Sequence, residues 1–178
     1  PGVWLQTLDE NAAALGAPVR LTAKAGASSS VDLSNRIDGG GAVYSVEIDG
    51  MPQIRFRRLN ELGELEADER TIVGPPYRAD AASLAAIGGG YVVVYRALSG
   101  GDVKQPEIRL TFVTKEGNVM RDPAGRALAY KVADSTITSA RTYVSVSVEG
   151  QIMVAWVDDD PASDKNVLKV ARRRLDCQ

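Results

Sequence analysis

Apolar and polar residues alternate along this chain in short runs, and one run recurs four times. Val3-Trp-Leu-Gln-Thr-Leu-Asp9 aligns with the segments that end at Leu59-Asn60, Val113-Thr114 and Leu175-Asp176. The positions before those pairs superpose as Val3, Ile54, Ile108 and Val170, and as Leu5, Phe56, Leu110 and Arg172. Only Arg172 departs from the alternation of a half-buried strand. Successive copies lie 51, 54 and 62 residues apart, a period that marks a repeat architecture. A glycine turn running into an apolar strand recurs beside them, in Gly39-Gly-Gly-Ala-Val-Tyr-Ser-Val-Glu-Ile48, Gly88-Gly-Gly-Tyr-Val-Val-Val-Tyr-Arg-Ala97 and Gly150-Gln-Ile-Met-Val-Ala-Trp-Val157.

One period holds four predicted strands, clearest at 82–87, 91–97, 107–114 and 127–133. The preceding copy predicts strands at 31–37, 42–48, 53–60 and 70–74, and the last copy at 142–148, 151–157 and 167–176. The chain begins with a third strand at 3–9 and a short fourth at 18–22, so it starts and ends on the same strand of the repeat. That phasing leads us to expect a portion of a longer chain, or a subunit that needs a partner. The near-continuous apolar character of 91–97 predicts burial on both faces. Residues 60–69 carry the nearest approach to a helix pattern, but Gly63 interrupts it and the segment connects two strands.

Repeats that pair Ile87-Gly-Gly-Gly-Tyr-Val-Val-Val-Tyr95 with Ile108-Arg-Leu-Thr-Phe-Val-Thr-Lys-Glu-Gly117 resemble blades of the β-propellers common in bacterial secreted and cell-surface proteins. The resemblance implies an all-β fold, a β-propeller-like array of about three four-stranded antiparallel blades, with blade portions 1–28, 29–80, 81–139 and 140–178 in a single domain. A β-sandwich also accommodates regularly spaced short strands. The resemblance further implies an extracytoplasmic location, and the chain's opening at Pro1 fits removal of an upstream segment. No WD dipeptide signature, Asp-x-Asp-x-Asp-Gly calcium loop or Ser-x-Asp-x-Gly-x-x-Trp box occurs, so the functions attached to those motifs do not carry over.

Composition narrows the chemistry. A net charge of -2 lacks the basic excess of a general nucleic-acid binder, and apolar runs such as 91–95 are too short to span a bilayer. With no histidine in the chain, Ser-His-Asp and Cys-His nucleophilic systems and His-ligated metals are excluded. Cys177 stands alone, without an internal disulfide or zinc partner. Oxygen-ligated cations stay open.

In a blade array, connections between second and third strands share one rim with the inter-blade segments, and function tends to lie in such loops. There, Asp158, Asp159, Asp160 and Asp164 supply the hard oxygen atoms that calcium prefers. A solvated acidic turn explains the same residues and takes precedence, because their spacing matches no known cation loop. A glycosidase pair is a third reading of these carboxylates, and it requires two of them to face across a substrate. Tyr77, Arg78 and Asp80, with Asp102 on the neighbouring loop, form a candidate ligand-binding rim for sugars, carboxylates or a protein hot spot. A rigid turn with Tyr77 packed on Pro75 or Pro76 is the competing reading. Trp4 and Trp156 read as packing residues.

Two functions fit these observations. One is a non-catalytic binding module that presents loops to a protein or glycan partner. The other is a fragment of a propeller enzyme, such as a glycan-cleaving hydrolase, with catalytic residues partly in absent blades. Three successive blades leave two apolar flanks, expected at Val92, Val94, Ile152 and Val154 or their opposite-face neighbours. A second copy, as a homodimer, or the remainder of a longer parent chain is expected to cover them.

Overall fold

The computed structural model describes residues 2–23, 26–98, 100, 103–136, 141–160, 162–163 and 165–174. Its strands form four antiparallel sheets in chain order. The first pairs β1 (Trp4–Leu5) with β2 (Val19–Arg20). The second contains β3 (Ser28–Arg36), β4 (Gly39–Ile48), β5 (Met51–Leu59) and β6 (Arg70–Val73). The third contains β7 (Ala79–Ile87), β8 (Gly90–Ala97), β9 (Glu107–Thr114) and β10 (Ala129–Asp134). The fourth contains β11 (Thr142–Val146), β12 (Gln151–Asp160) and β13 (Lys165–Arg174). Every sheet is a meander whose sequence neighbours pair, and no helix occurs among the described residues. Two complete four-stranded blades are thus flanked by an outer strand pair on one side and three inner strands on the other, a propeller-like array.

The recurrent apolar-polar pair has a local cause. Asp9 and Asn60 each accept, through Oδ1, backbone N–H groups two and four residues on, and Thr114 Oγ1 accepts that of Asn118. Asp122 and Ser147 repeat the arrangement in two further turns. In all five turns the residue three positions later has positive φ, namely Ala12, Gly63, Gly117, Gly125 and Gly150. This is a three-residue hairpin loop whose last residue is left-handed, which explains why glycine occupies four of the five places. The polar side chain replaces backbone partners that the tight loop cannot supply. Leu8, Leu59 and Val113 then bridge to Ala14, Leu65 and Val119, which anchors each loop to its strand. The fourth copy, Leu175-Asp176, and Cys177 lie outside the described residues.

Blades pack face to face, and each interface is a separate core. Val43, Ile54 and Phe56 meet Leu84, Tyr91 and Val93 between the second and third sheets. Val92, Val94, Ile108 and Leu110 meet Ile152, Val154 and Trp156 between the third and fourth. Val3 and Leu21 cover Ala42, Tyr44 and Val46 at the start of the chain. Strand β8 is buried along its whole length, as its continuous apolar run requires. Tyr44 reinforces the first interface by donating its hydroxyl to the Leu21 carbonyl.

Two expectations need correction. Val92, Val94, Ile152 and Val154 are not at a free flank, because neighbouring blades cover them. The exposed flank of the fourth sheet instead carries their opposite-face neighbours, Tyr143, Met153, Leu168 and Val170, and that of the second carries Val31 and Leu33. Trp156 is buried, but Trp4 is 60% exposed, because among the described residues no further sheet packs on the outer side of the two-stranded first sheet.

Candidate functional site

The innermost strands β3, β7 and β11 form the wall nearest the array's axis, and their polar residues are joined to one another. Strand β7 pairs only with β8, so its free edge leaves amide groups in need of partners. Alternation along Ser30-Val-Asp-Leu-Ser34 sends every second side chain toward that edge. Ser30 Oγ accepts from Ala82 N at 3.0 Å, Asp32 Oδ2 from Leu84 N at 2.8 Å and Ser34 Oγ from Ala86 N at 2.9 Å. Asp32 Oδ1 also accepts from Leu33 N. From the other side, Thr142 of β11 donates its hydroxyl to the Ala81 carbonyl, where β7 bulges and Ala81 takes φ of 51°. A row of side chains therefore does between blades what a backbone ladder does within one.

The rim expected to bind ligand is formed as its connectivity implies. Leu98 N donates to the Arg78 carbonyl and Ser135 N to the Pro106 carbonyl, which sets the inter-blade segments beside the loop that follows β8. Tyr77 and Arg78 are exposed there, after a turn closed by Tyr77 N on the Gly74 carbonyl. Asp80 does not project with them: its carboxylate is held at both oxygens by Arg96, at 2.8 and 2.6 Å, and Arg96 is itself buried. Asp102 lies outside the described residues.

The acidic segment also differs from its sequence reading. Asp158, Asp159 and Asp160 belong to strand β12, paired with Val167, Asn166 and Lys165, so they lie in a ladder instead of a loop, and the carboxylates of Asp158 and Asp159 point to opposite faces. Asp158 is buried and accepts hydrogen bonds from Lys169 Nζ at 2.7 Å and from the backbone N and hydroxyl of Thr136, both at 2.8 Å. Burial alone pushes its pKa up, but the Lys169 and Thr136 hydrogen bonds outweigh that and hold it at about 2. Asp159 is exposed, and Asp164 lies outside the described residues. Among the described residues no group of three or more His, Cys, Asp or Glu side chains is arranged to hold a metal ion.

A concave site occurs on the opposite rim, at the tips of the β3–β4, β7–β8 and β11–β12 hairpins. It is a cleft of about 540 Å³ whose lining includes Arg36, Ile37, Ile87, Gly88, Val148 and Glu149. Arg36 fixes one wall: Nε binds Asp38 at 2.9 Å, and Nη1 donates to the carbonyls of Ile87, Gly88 and Gly90. Its guanidinium also lies over the Tyr91 ring, 5.6 Å from the centroid. Sequence reasoning missed this cleft because hairpin tips with glycine and small residues read only as turns. The available signal was an isoleucine and a valine at positions where turns favour polar residues.

No protein-family profile and no curated protein sequence matches this chain. Solved structures do resemble it. A GH43 endo-arabinanase from Bacillus licheniformis superposes with a TM-score of 0.50 at 14% identity, over 80% of this chain and 52% of the enzyme. An endo-arabinase from Bacteroides thetaiotaomicron superposes with a TM-score of 0.52 at 13% identity, over 89% of this chain and 62% of that protein. These neighbours are five-bladed β-propellers, so the likeness supports the propeller fold. The chain spans between half and two thirds of their length.

Proposed function

We propose that this chain is a non-catalytic interaction module, an arc of propeller blades whose rims receive a protein or glycan partner. The observation that carries this reading is the commitment of the carboxylates on the innermost strands. Asp32 holds the Leu33 and Leu84 amides, and Asp80 holds Arg96. Hydrolysis of a glycosidic bond needs two carboxyl groups across the substrate, one able to give a proton and one to act as base or nucleophile. Neither carboxylate is free for such a task. Resemblance to secreted propellers supports an extracytoplasmic site of action, and among the described residues no helix is long and apolar enough to cross a membrane.

A second reading, a fragment of a glycan-cleaving propeller completed by further blades, is favoured by the likeness to the two arabinan-cleaving structures. Incubation with linear arabinan and measurement of new reducing ends separates the two. The module reading expects no release above buffer, and retardation in an arabinan-containing native gel would then select a glycan partner over a protein. Release that disappears in Asp32→Asn or Asp80→Asn would overturn the module reading in favour of the second.

A further inference from the structure

Two residues of the hairpin-tip cleft have identities that the fold does not require. Val148 occupies the position after Ser147 in the repeated three-residue loop, where the sister loops carry Glu10, Glu61, Lys115 and Pro123. Loop geometry therefore does not select an apolar residue, yet Val148 is wholly exposed, and so is Ile37 on the β3–β4 tip. Gly88 is the second case. It lacks the positive φ that favours glycine, and a Cβ built there meets nothing within 4 Å. Its effect is to keep a notch open between Ile37 and Val148, which all line the same cleft.

Charge indicates what enters the notch. Arg36 and Asp38 are paired with each other. The Glu149 carboxylate, exposed at the mouth, accepts from the neutral Gln151 side chain and is paired with no cation among the described residues. The site thus offers aliphatic walls and an uncompensated carboxylate, and the aromatic faces that commonly stack against sugar rings are absent from its lining.

We propose that this cleft binds a peptide segment of a partner protein, with an aliphatic side chain seated over Gly88 between Ile37 and Val148 and an adjacent Lys or Arg paired with Glu149. The inference rests on the reading of the chain as an interaction module and assigns its protein-binding surface to the hairpin-tip rim. Arg36 ties the Ile37 wall to the β7–β8 tip, and Ile87 and Val146 pack into one core beneath the other wall, so the notch is already formed before binding, which lowers the ordering cost.

Amide chemical-shift titration of the 178-residue chain tests this, with N-acetyl-leucyl-arginine amide as probe at millimolar concentration. The expected result is a localised response at Gly88, Val148 and Glu149, abolished in Gly88→Leu, whose melting temperature stays at the parent value. Glu149→Gln is expected to weaken the response about two- to fivefold, the range of an exposed ion pair. An equal response to N-acetyl-leucyl-glutamate amide, an unchanged response in Gly88→Leu or no localised response would overturn the proposal. So would the same shifts on adding arabino-oligosaccharide, or on raising the protein concentration alone, which would assign the cleft to a glycan or to a second copy. Release of reducing ends from arabinan would remove the module reading while leaving this titration readable by itself.

Discussion

Gly90→Ala is expected to destabilise the protein by about 3 kcal/mol, a typical cost of forcing atoms into a closed core. That corresponds to a melting temperature lower by about 6–12 °C in a chain of this length. Gly90 opens β8 and pairs with Thr114 of β9. A Cβ there would lie 2.0 Å from the Val113 carbonyl oxygen and 3.0 Å from two backbone atoms of Thr114, so no flexible side chain can yield. Its neighbours in the same glycine run provide the control. Cβ atoms at Gly88 and Gly89 meet nothing within 4 Å, and neither residue has positive φ. Alanine at either should change stability by no more than about 0.5 kcal/mol. Thermal melts of the three variants check this; equal losses at all three positions would mean that the turn itself, and not the approach of β9, selects glycine.

The uncovered flanks lead to the second large effect. Trp4, Val31 and Leu33 at one end, and Tyr143, Leu168 and Val170 at the other, are each about half exposed or more. They occupy the faces that adjacent blades cover elsewhere in the array, where side chains such as Val92, Val93, Ile152 and Val154 are buried. Soluble monomers seldom display apolar patches beyond roughly 300–600 Å², and association that covers these faces is favoured by about 25 cal/mol per Å² of apolar area removed from water. The isolated chain is therefore expected to scatter light as species larger than its 19.0 kDa at micromolar concentration. The double substitution Leu168→Lys with Val170→Lys should shift it toward the monomer. A parent chain that is already monomeric would show that these flanks need no cover.

Much of this architecture was legible before any coordinates. The strand expected at 107–114 coincides with β9, and the fourfold apolar-polar pair marks strand ends at which, in its first three copies, the structure places loops closed by side-chain hydrogen bonds. The glycine runs located the hairpins because tight turns between strands leave few other choices. What was not legible depended on partners distant in sequence. Asp158-Asp-Asp160 reads as a turn, but pairing with residues 165–167 draws it into a strand, where Lys169 pairs with the inward Asp158 carboxylate and Thr136 donates hydrogen bonds to it. Asp80 looked like part of a binding rim until its cross-strand neighbour proved to be Arg96. Ser30, Asp32 and Ser34 suggest a solvated face; their purpose appears only when β7 lies alongside, 52 residues further on. The cleft escaped for a related reason, since it is built from three tips that belong to three different blades.

The polar residues of the innermost strands bind the blades together through side-chain hydrogen bonds. Native-state hydrogen exchange of the Ala82, Leu84 and Ala86 amides tests this claim most directly, because these groups face the free edge of β7. The structure predicts that all three are protected to the level of the β8 amides, and that Asp32→Ala lowers protection at Leu84 first. Exchange of the three at the rate of solvated edge amides in the parent protein would contradict the claim and return Asp32 to the list of free axial carboxylates.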